Sequence, residues 1–221
     1  MYDDLPLRFA GHAMVARASG ALHWPEEGVL VVSDLHFGKS ERLARRGGAF
    51  LPPYEVQETL ERLEADIAAT RPRAVISLGD AFDDMTAVER MLPEHRDRLR
   101  RATLTRDWIW VTGNHDPAPT GLGGTAADAV TCADVTFRHI ARGGDGPEIS
   151  GHYHPKACLR MRGRAVSRRC FLRDATRMIL PSYGTYTGGL SSHDPALLKL
   201  MAPNARAILA GSPMVEIPMP R

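Results

Sequence analysis

Four short segments of this sequence set histidine beside carboxylate or amide: Asp34-Leu35-His36, Gly79-Asp80-Ala81-Phe82-Asp83, Gly113-Asn114-His115-Asp116 and Gly151-His152-Tyr153-His154. A lone His139 follows the run that begins at Val135. Imidazole, carboxylate and amide oxygen together suit borderline first-row ions such as Mn²⁺, Fe²⁺ or Zn²⁺, and no thiolate stands among them to favour softer metals. Two such ions roughly 3.5–4 Å apart need a bridging carboxylate and a bridging hydroxide; the pair lowers the pKa of the shared water and neutralises charge on phosphoryl oxygens. Metal-assisted hydrolysis of a phosphoester is the chemistry these residue types fit best. Each segment alone is weak, because Asp-x-His arises by chance, Gly-Asp is an ordinary turn, and asparagine tolerates left-handed backbone. Five in this order are specific as a set. His12, His23, His95 and His193 stand outside it and read as structural or surface residues.

Such residues meet only if the fold brings distant loops together. Gly28 to Ser33 contains Val-Leu-Val-Val, Arg73 to Leu78 is Arg-Ala-Val-Ile-Ser-Leu, and Trp108 to Thr112 ends in Gly113. Each reads as a strand buried on both faces, and each runs straight into one of the segments above. In open α/β sheets ligands gather at the carboxyl ends of strands. Residues 7–24 read as short strands or a hairpin, and further strands are expected at Val135 to Ile140, Glu148 to Ser150, Ala165 to Leu172 and Met178 to Leu180. Tyr54 to Thr70 is the clearest helix, with Val56, Leu60, Leu63 and Ile67 on one stripe and Pro72 beyond its end. Thr86 to Arg101 reads as a second helix, interrupted at Pro93. Strands alternating with helices, then mostly strands, predict an α/β protein.

The composition is that of an ordinary globular chain: 221 residues, 43% hydrophobic, 24% charged. At ~100–200 residues per domain a single domain over 1–221 is expected. The composition excludes a disordered, collagen-like or small disulfide-built chain. No stretch approaches ~18 consecutive apolar residues, so no membrane span is expected, and Met1 to Pro6 does not open like a secretory signal. Cys132, Cys158 and Cys170 are odd in number and lack C-x-x-C spacing, which reads as three reduced thiols in a cytoplasmic protein. The net charge of +2 is uninformative, but Lys156 to Arg177 holds eight basic residues and one acid.

As an ordered set, Asp-x-His, Gly-Asp-x-x-Asp, Gly-Asn-His-Asp, His and Gly-His-x-His resembles the calcineurin-like metallophosphoesterase superfamily over residues 34–154. The resemblance implies a four-layer α/β/β/α sandwich, two mixed central sheets flanked by helices. It implies that Asp34, His36, Asp80 and His154 hold one metal, and that Asp80 bridges to a second completed by Asn114, His139 and His152. It also implies that His115 assists the leaving oxygen when a metal-bridging hydroxide attacks in line, with Asp83 orienting His115. Many members carry Glu where this chain has Asp116.

Beyond that set, Asp34-Leu35-His36-Phe37-Gly38-Lys39 is followed by Arg42, Arg45, Arg46, Gly47, Gly48 and Pro52-Pro53. Pro155 leads into the arginine tract, and Leu180-Pro181-Ser182-Tyr183-Gly184 and Thr185-Tyr186-Thr187-Gly188-Gly189 come after it. Together these are similar to the bacterial ligase-associated DNA damage response endonuclease family. That likeness implies a Mn²⁺-dependent phosphodiesterase, with Fe or Zn as alternative metals, acting on single-stranded DNA in repair. A functional association with a DNA ligase, exonuclease and helicase is implied too. Arg42, Arg45 and Arg46, beside the metal ligands, are candidate phosphate contacts, as is Arg160. If extended, Arg160, Arg162 and Arg164 would project from one face and track a phosphate backbone; a charged sheet edge that blocks aggregation is the competing use. Aromatic content of 6% argues against a base-stacking platform. The alternatives are a small-molecule or cyclic-nucleotide phosphodiesterase, a lipid A-pathway pyrophosphohydrolase, and a metal-bound scaffold without catalysis.

Overall fold

The computed structural model describes residues 4–48, 51–84, 86–114, 121–144, 146–161 and 164–221. Two mixed sheets lie face to face. In the first, β1 (Leu5–Phe9), β2 (His12–Ala16), β3 (Leu22–Trp24), β4 (Val29–Val32), β5 (Ala74–Leu78), β6 (Asp107–Val111) and β7 (Thr125–Ala127) follow one another in chain order. From β1 to β4 neighbours are antiparallel, and from β4 to β7 they are parallel. Parallel neighbours need long crossovers. Helices α1 (Lys39–Arg45) and α2 (Glu55–Thr70) supply the first, and α3 (Ala87–Arg90) and α4 (Pro93–Leu104) the second.

The second sheet comprises β8 (Ala129–Cys132), β9 (Val135–Arg138), β10 (Glu148–Ser150), β11 (Lys156–Met161), β12 (Arg164–Arg173), β13 (Arg177–Ile179), β14 (Arg206–Leu209) and β15 (Val215–Pro218). Its order is β15-β14-β12-β13-β10-β9-β8, with β11 pairing β12 off that path. β9, β10 and β13 are mutually parallel; the other pairings are antiparallel.

Alternation along the strands decides the layers. In β4, Val29 and Val31 enter the core between the sheets, while Leu30 and Val32 face the helices. Phe9, Met14, Trp24, Phe137, Phe171 and Ile208 fill the space between the sheets. Leu60 and Leu63 of α2 and Leu99 of α4 cover the first sheet's outer face. The second sheet's outer face buries Leu172, Ile179 and Leu209 against Leu197 of α5 (Pro195–Leu200) and Met201. The result is helix, sheet, sheet, helix, the four-layer α/β/β/α order that the resemblance implied, with a thin fourth layer. Among the described residues no helix is long and apolar enough to cross a membrane.

Two features lie beyond what local pattern predicts. The segment after Gly38 is helical, although Lys-Ser-Glu-Arg-Leu-Ala-Arg offers no apolar stripe and buries only Ser40. A polar contact anchors it instead: the buried Glu55 carboxylate, at the start of α2, accepts bonds from the Ser40 amide (3.2 Å) and hydroxyl. The arginine tract is not one extended run. It folds back as the β11–β12 hairpin, pairing Arg160 with Ala165 and Met161 with Arg164, so Arg160 and Arg164 stand on opposite strands; Arg162 lies outside the described residues. Further along, Arg168 donates to the carbonyls of Ala210 and Pro213, and Arg169 to that of Ser182 (2.9 Å). Arg173 pairs with Glu216 (2.6 Å) and Arg177 with Glu148 (2.7 Å). These four cations serve the fold.

Candidate metal centre

Every ligand candidate sits just past the carboxyl end of a strand: Asp34 and His36 after β4, Asp80 after β5, Asn114 after β6, His139 after β9, His152 and His154 after β10. Because β4, β5 and β6 are parallel, as are β9 and β10, these ends open on one rim. The turns there are abrupt. Asp34, His36, Asp80, His152 and His154 all hold left-handed backbone, with φ between 45 and 68°. Non-glycine residues persist in such geometry only where the surroundings over-determine it, and they cluster at functional sites.

The side chains gather into two groups, Asp34, His36 and His154 in one and Asp80, His139 and His152 in the other. Within each, one ligand atom per residue lies within 4.8 Å of the others. In the first, His154 Nε2 is 3.0 Å from Asp34 Oδ1 and 3.4 Å from His36 Nε2. In the second, His139 Nε2 is 3.4 Å from Asp80 Oδ2 and 3.2 Å from His152 Nδ1. The groups adjoin, with His139 Nδ1 3.9 Å from Asp34 Oδ1 and the His152 amide donating to Asp34 Oδ2 (2.9 Å). Asn114 approaches through its main chain, its amide donating to Asp80 Oδ1 at 2.7 Å. Asp34, His36, Asp80 and His139 are buried.

The protons are placed by what stands behind each ring. His36 Nδ1 lies 2.9 Å from Asp83 Oδ1 and His139 Nδ1 lies 2.8 Å from the Leu78 carbonyl oxygen. Both partners are acceptors, so each Nδ1 carries the proton and a neutral ring turns its Nε2 lone pair inward. At His139 that lone pair faces a carboxylate and another imidazole. Asp34 Oδ1 is buried and makes no hydrogen bond of good geometry despite its close approach to His154. Inward lone pairs and an orphaned carboxylate oxygen demand positive charge between them.

The electrostatics of the site express the same demand. Burial works against a charged His139, but its bond to Asp80 and the fields of Asp34 and Asp80 prevail and push its pKa up to about 9. Burial likewise works against ionised Asp34, yet His154, His139 and His36 hold its carboxyl below the usual range. His152 moves down, through burial and then the neighbouring His139. A proton or a divalent cation can answer that demand, and the donor set of carboxylates and imidazoles fits divalent cations.

Asp83 does something the sequence reading did not anticipate. Its two oxygens meet His36 Nδ1 and Arg42 Nε, with Lys39 Nζ 3.9 Å away. Burial would raise this carboxyl, but the bonds from His36 and Arg42 bring it down to about 2. The histidine that Asp83 meets is thus a ligand candidate on β4's rim; His115, its expected partner, lies outside the described residues. Arg42 is committed to Asp83, and Arg45 to Asp84 and Glu41, so neither stands as an open phosphate contact. Arg46 is exposed at the end of α1, and Arg160 lies in β11 with its side chain outside the description.

A cleft of about 320 Å³ adjoins the second group, lined by Asn114 and His139 and also by Thr112, Asp128, Arg138 and Arg142. Arg138 and Arg142 did not emerge from the sequence, although flanking a candidate ligand with two cations within five residues was a usable signal. Tyr153, between two ligand candidates, packs against the outer core of the second sheet.

Residues 28–211 match the family model described as calcineurin-like phosphoesterase. Among solved structures, the nuclease MPE of Pseudomonas putida is 28% identical and superposes with a TM-score of 0.76, over 97% of this chain and 100% of that one. Yfce, a phosphoesterase from E. coli, is 11% identical at a TM-score of 0.43, over 87% of this chain and 99% of the other. No curated protein matches the sequence.

Proposed function

The chain belongs to the calcineurin-like phosphoesterase family and is a metal-dependent phosphoesterase, and we propose that its substrate is the phosphodiester backbone of DNA, single-stranded by preference. The observation that carries this reading is the near end-to-end likeness to a nuclease, joined to two ligand groups meeting on one rim. Manganese is the proposed metal, with iron or zinc also compatible with carboxylate and imidazole donors. The proposed setting is DNA repair in the cytoplasm, alongside a ligase, exonuclease and helicase.

In this reading Asp34, His36 and His154 hold one ion, and Asp80, His139, His152 and Asn114 the other, with Asp80 shared. Bound ions supply a water of lowered pKa and neutralise charge on phosphoryl oxygens. The chain's own residues do the rest. Asp83 keeps the proton on His36 Nδ1 and so keeps Nε2 available, and Arg42 holds Asp83 ionised. The Leu78 carbonyl does the same for His139. His115 is proposed to give a proton to the leaving oxygen. Arg46 and Arg160 remain candidate contacts to the strand.

Crossing Mn²⁺, Zn²⁺ and Mg²⁺ with single-stranded DNA, duplex DNA and bis-p-nitrophenyl phosphate tests the proposal. Manganese with single-stranded DNA is expected to give the fastest cleavage. Hydrolysis of the small diester with DNA left intact would refute the DNA reading, and every ester left intact would refute the catalytic one.

A further inference from the structure

We propose that Arg138 and Arg142 form a subsite for a phosphodiester neighbouring the one that is cleaved, so that the DNA strand leaves the metal centre across the end of β9. The inference rests on the DNA reading above and names where the strand runs. The cleft beside the second ligand group is lined by Asn114 and His139 and also by Arg138 and Arg142. Its volume of about 320 Å³ lies at the small end of the ~300–1,000 Å³ typical of ligand pockets, enough for one sugar-phosphate unit.

Both cations are underused within the fold. Among the described residues, Arg138 Nε is buried without a hydrogen bond, and its nearest carboxylate oxygen, Glu148 Oε2, is 3.6 Å away. That oxygen already accepts from the Arg142 amide, while Oε1 accepts from the Gly143 amide and Arg177. Arg142 is exposed, and among the described residues its guanidinium has no acceptor. Among the described residues of the lining, Asp128 is the one acid, and it takes the Thr112 hydroxyl (3.0 Å). A half-buried guanidinium whose Nε is sealed from water and short of acceptors calls for an anion, and the adjacent metal centre fixes which anion: the next phosphate of a bound strand.

The test compares Arg138→Gln, Arg142→Ala and the double variant with the parent protein, all loaded with Mn²⁺. Two readouts are taken: the ratio of kcat/KM on single-stranded DNA to that on bis-p-nitrophenyl phosphate, which has no neighbouring phosphate, and the Kd for a labelled phosphorothioate strand by anisotropy. The double variant is expected to lower the ratio and raise the Kd, each about tenfold, and to flatten the salt dependence of binding by ~0.7 per arginine. A ratio or Kd that does not move, or a proportional fall on both substrates, overturns the subsite. Arg142→Ala, on an exposed residue, keeps the test valid should Arg138→Gln misfold. If the parent protein hydrolyses the small diester but neither binds nor cleaves DNA, the DNA reading itself falls; if it cleaves DNA and the variants match it, only the subsite falls.

Discussion

Behind His36 of the first group stand charged side chains, whereas behind His139 of the second stands main chain. His36 leans on Asp83, and Asp83 on Arg42. His139 leans on the Leu78 carbonyl, and Asp80 receives the Asn114 amide. A side-chain brace can be deleted by one substitution and adjusted by a neighbouring charge. A main-chain brace belongs to the strand end itself and yields only when the backbone moves. The two halves of the centre should therefore fail in different ways.

The largest effect is expected where the halves are proposed to meet. Asp80→Asn should reduce turnover by more than the ~100-fold that an outer partner costs, with metal analysis showing loss at both positions; a variant still holding both ions would break the shared-ligand assignment. Next comes Gly79→Ala, which attacks main chain. A Cβ there would lie 2.4 Å from His139 Nδ1, on backbone with φ +73°, and one at Gly113 would lie 2.3 Å from Asp80 Oδ1. Either glycine variant should empty the second group before the first, as a metal titration would show. Asp83→Asn should weaken the first group ~10–100-fold and spare the second. Equal weakening of both would erase the contrast.

The smallest effect on activity concerns Glu148, a carboxylate that braces the segment after His139. It accepts from the Arg142 and Gly143 amides and pairs with Arg177. Burial opposes its ionisation, but those partners hold its carboxyl below its ordinary 4.5. Its contribution is therefore present above about pH 4.5 and lost as the pH falls through the depressed native value. Glu148→Gln should cost about 2 kcal/mol at neutral pH, and its denaturant midpoint should respond less to acid over that window. An unchanged acid response would remove Glu148 as a brace.

Much of the frame was legible because buried strands announce themselves. Val-Leu-Val-Val had to be a strand with two covered faces, and Leu60 and Leu63 had to share a helix stripe. The segments that would converge were legible for the same reason, since each polar cluster follows an apolar run. What escaped was decided by partners distant in sequence. Nothing in Lys39–Arg45 announces a helix, because its anchor, Glu55, comes later and is polar. Asp83 and His36 are 47 residues apart, and no local spacing could reveal their bond. Charge counting saw a basic tract at 156–177 but not Glu216, Glu148 or the carbonyls that absorb four of its arginines. The strands β14 and β15 and the helix α5 are too short for periodicity to detect.

Asp34, His36 and Asp80 hang from the first sheet, and His139, His152 and His154 from the second, so each half of the centre draws on both. An ion seated in either half would act as a rivet through the sandwich. Stripping the ions with a chelator should then be felt well away from the rim, as faster hydrogen exchange along strands that touch no ligand, because the layers would have lost the fasteners that keep them from sliding apart.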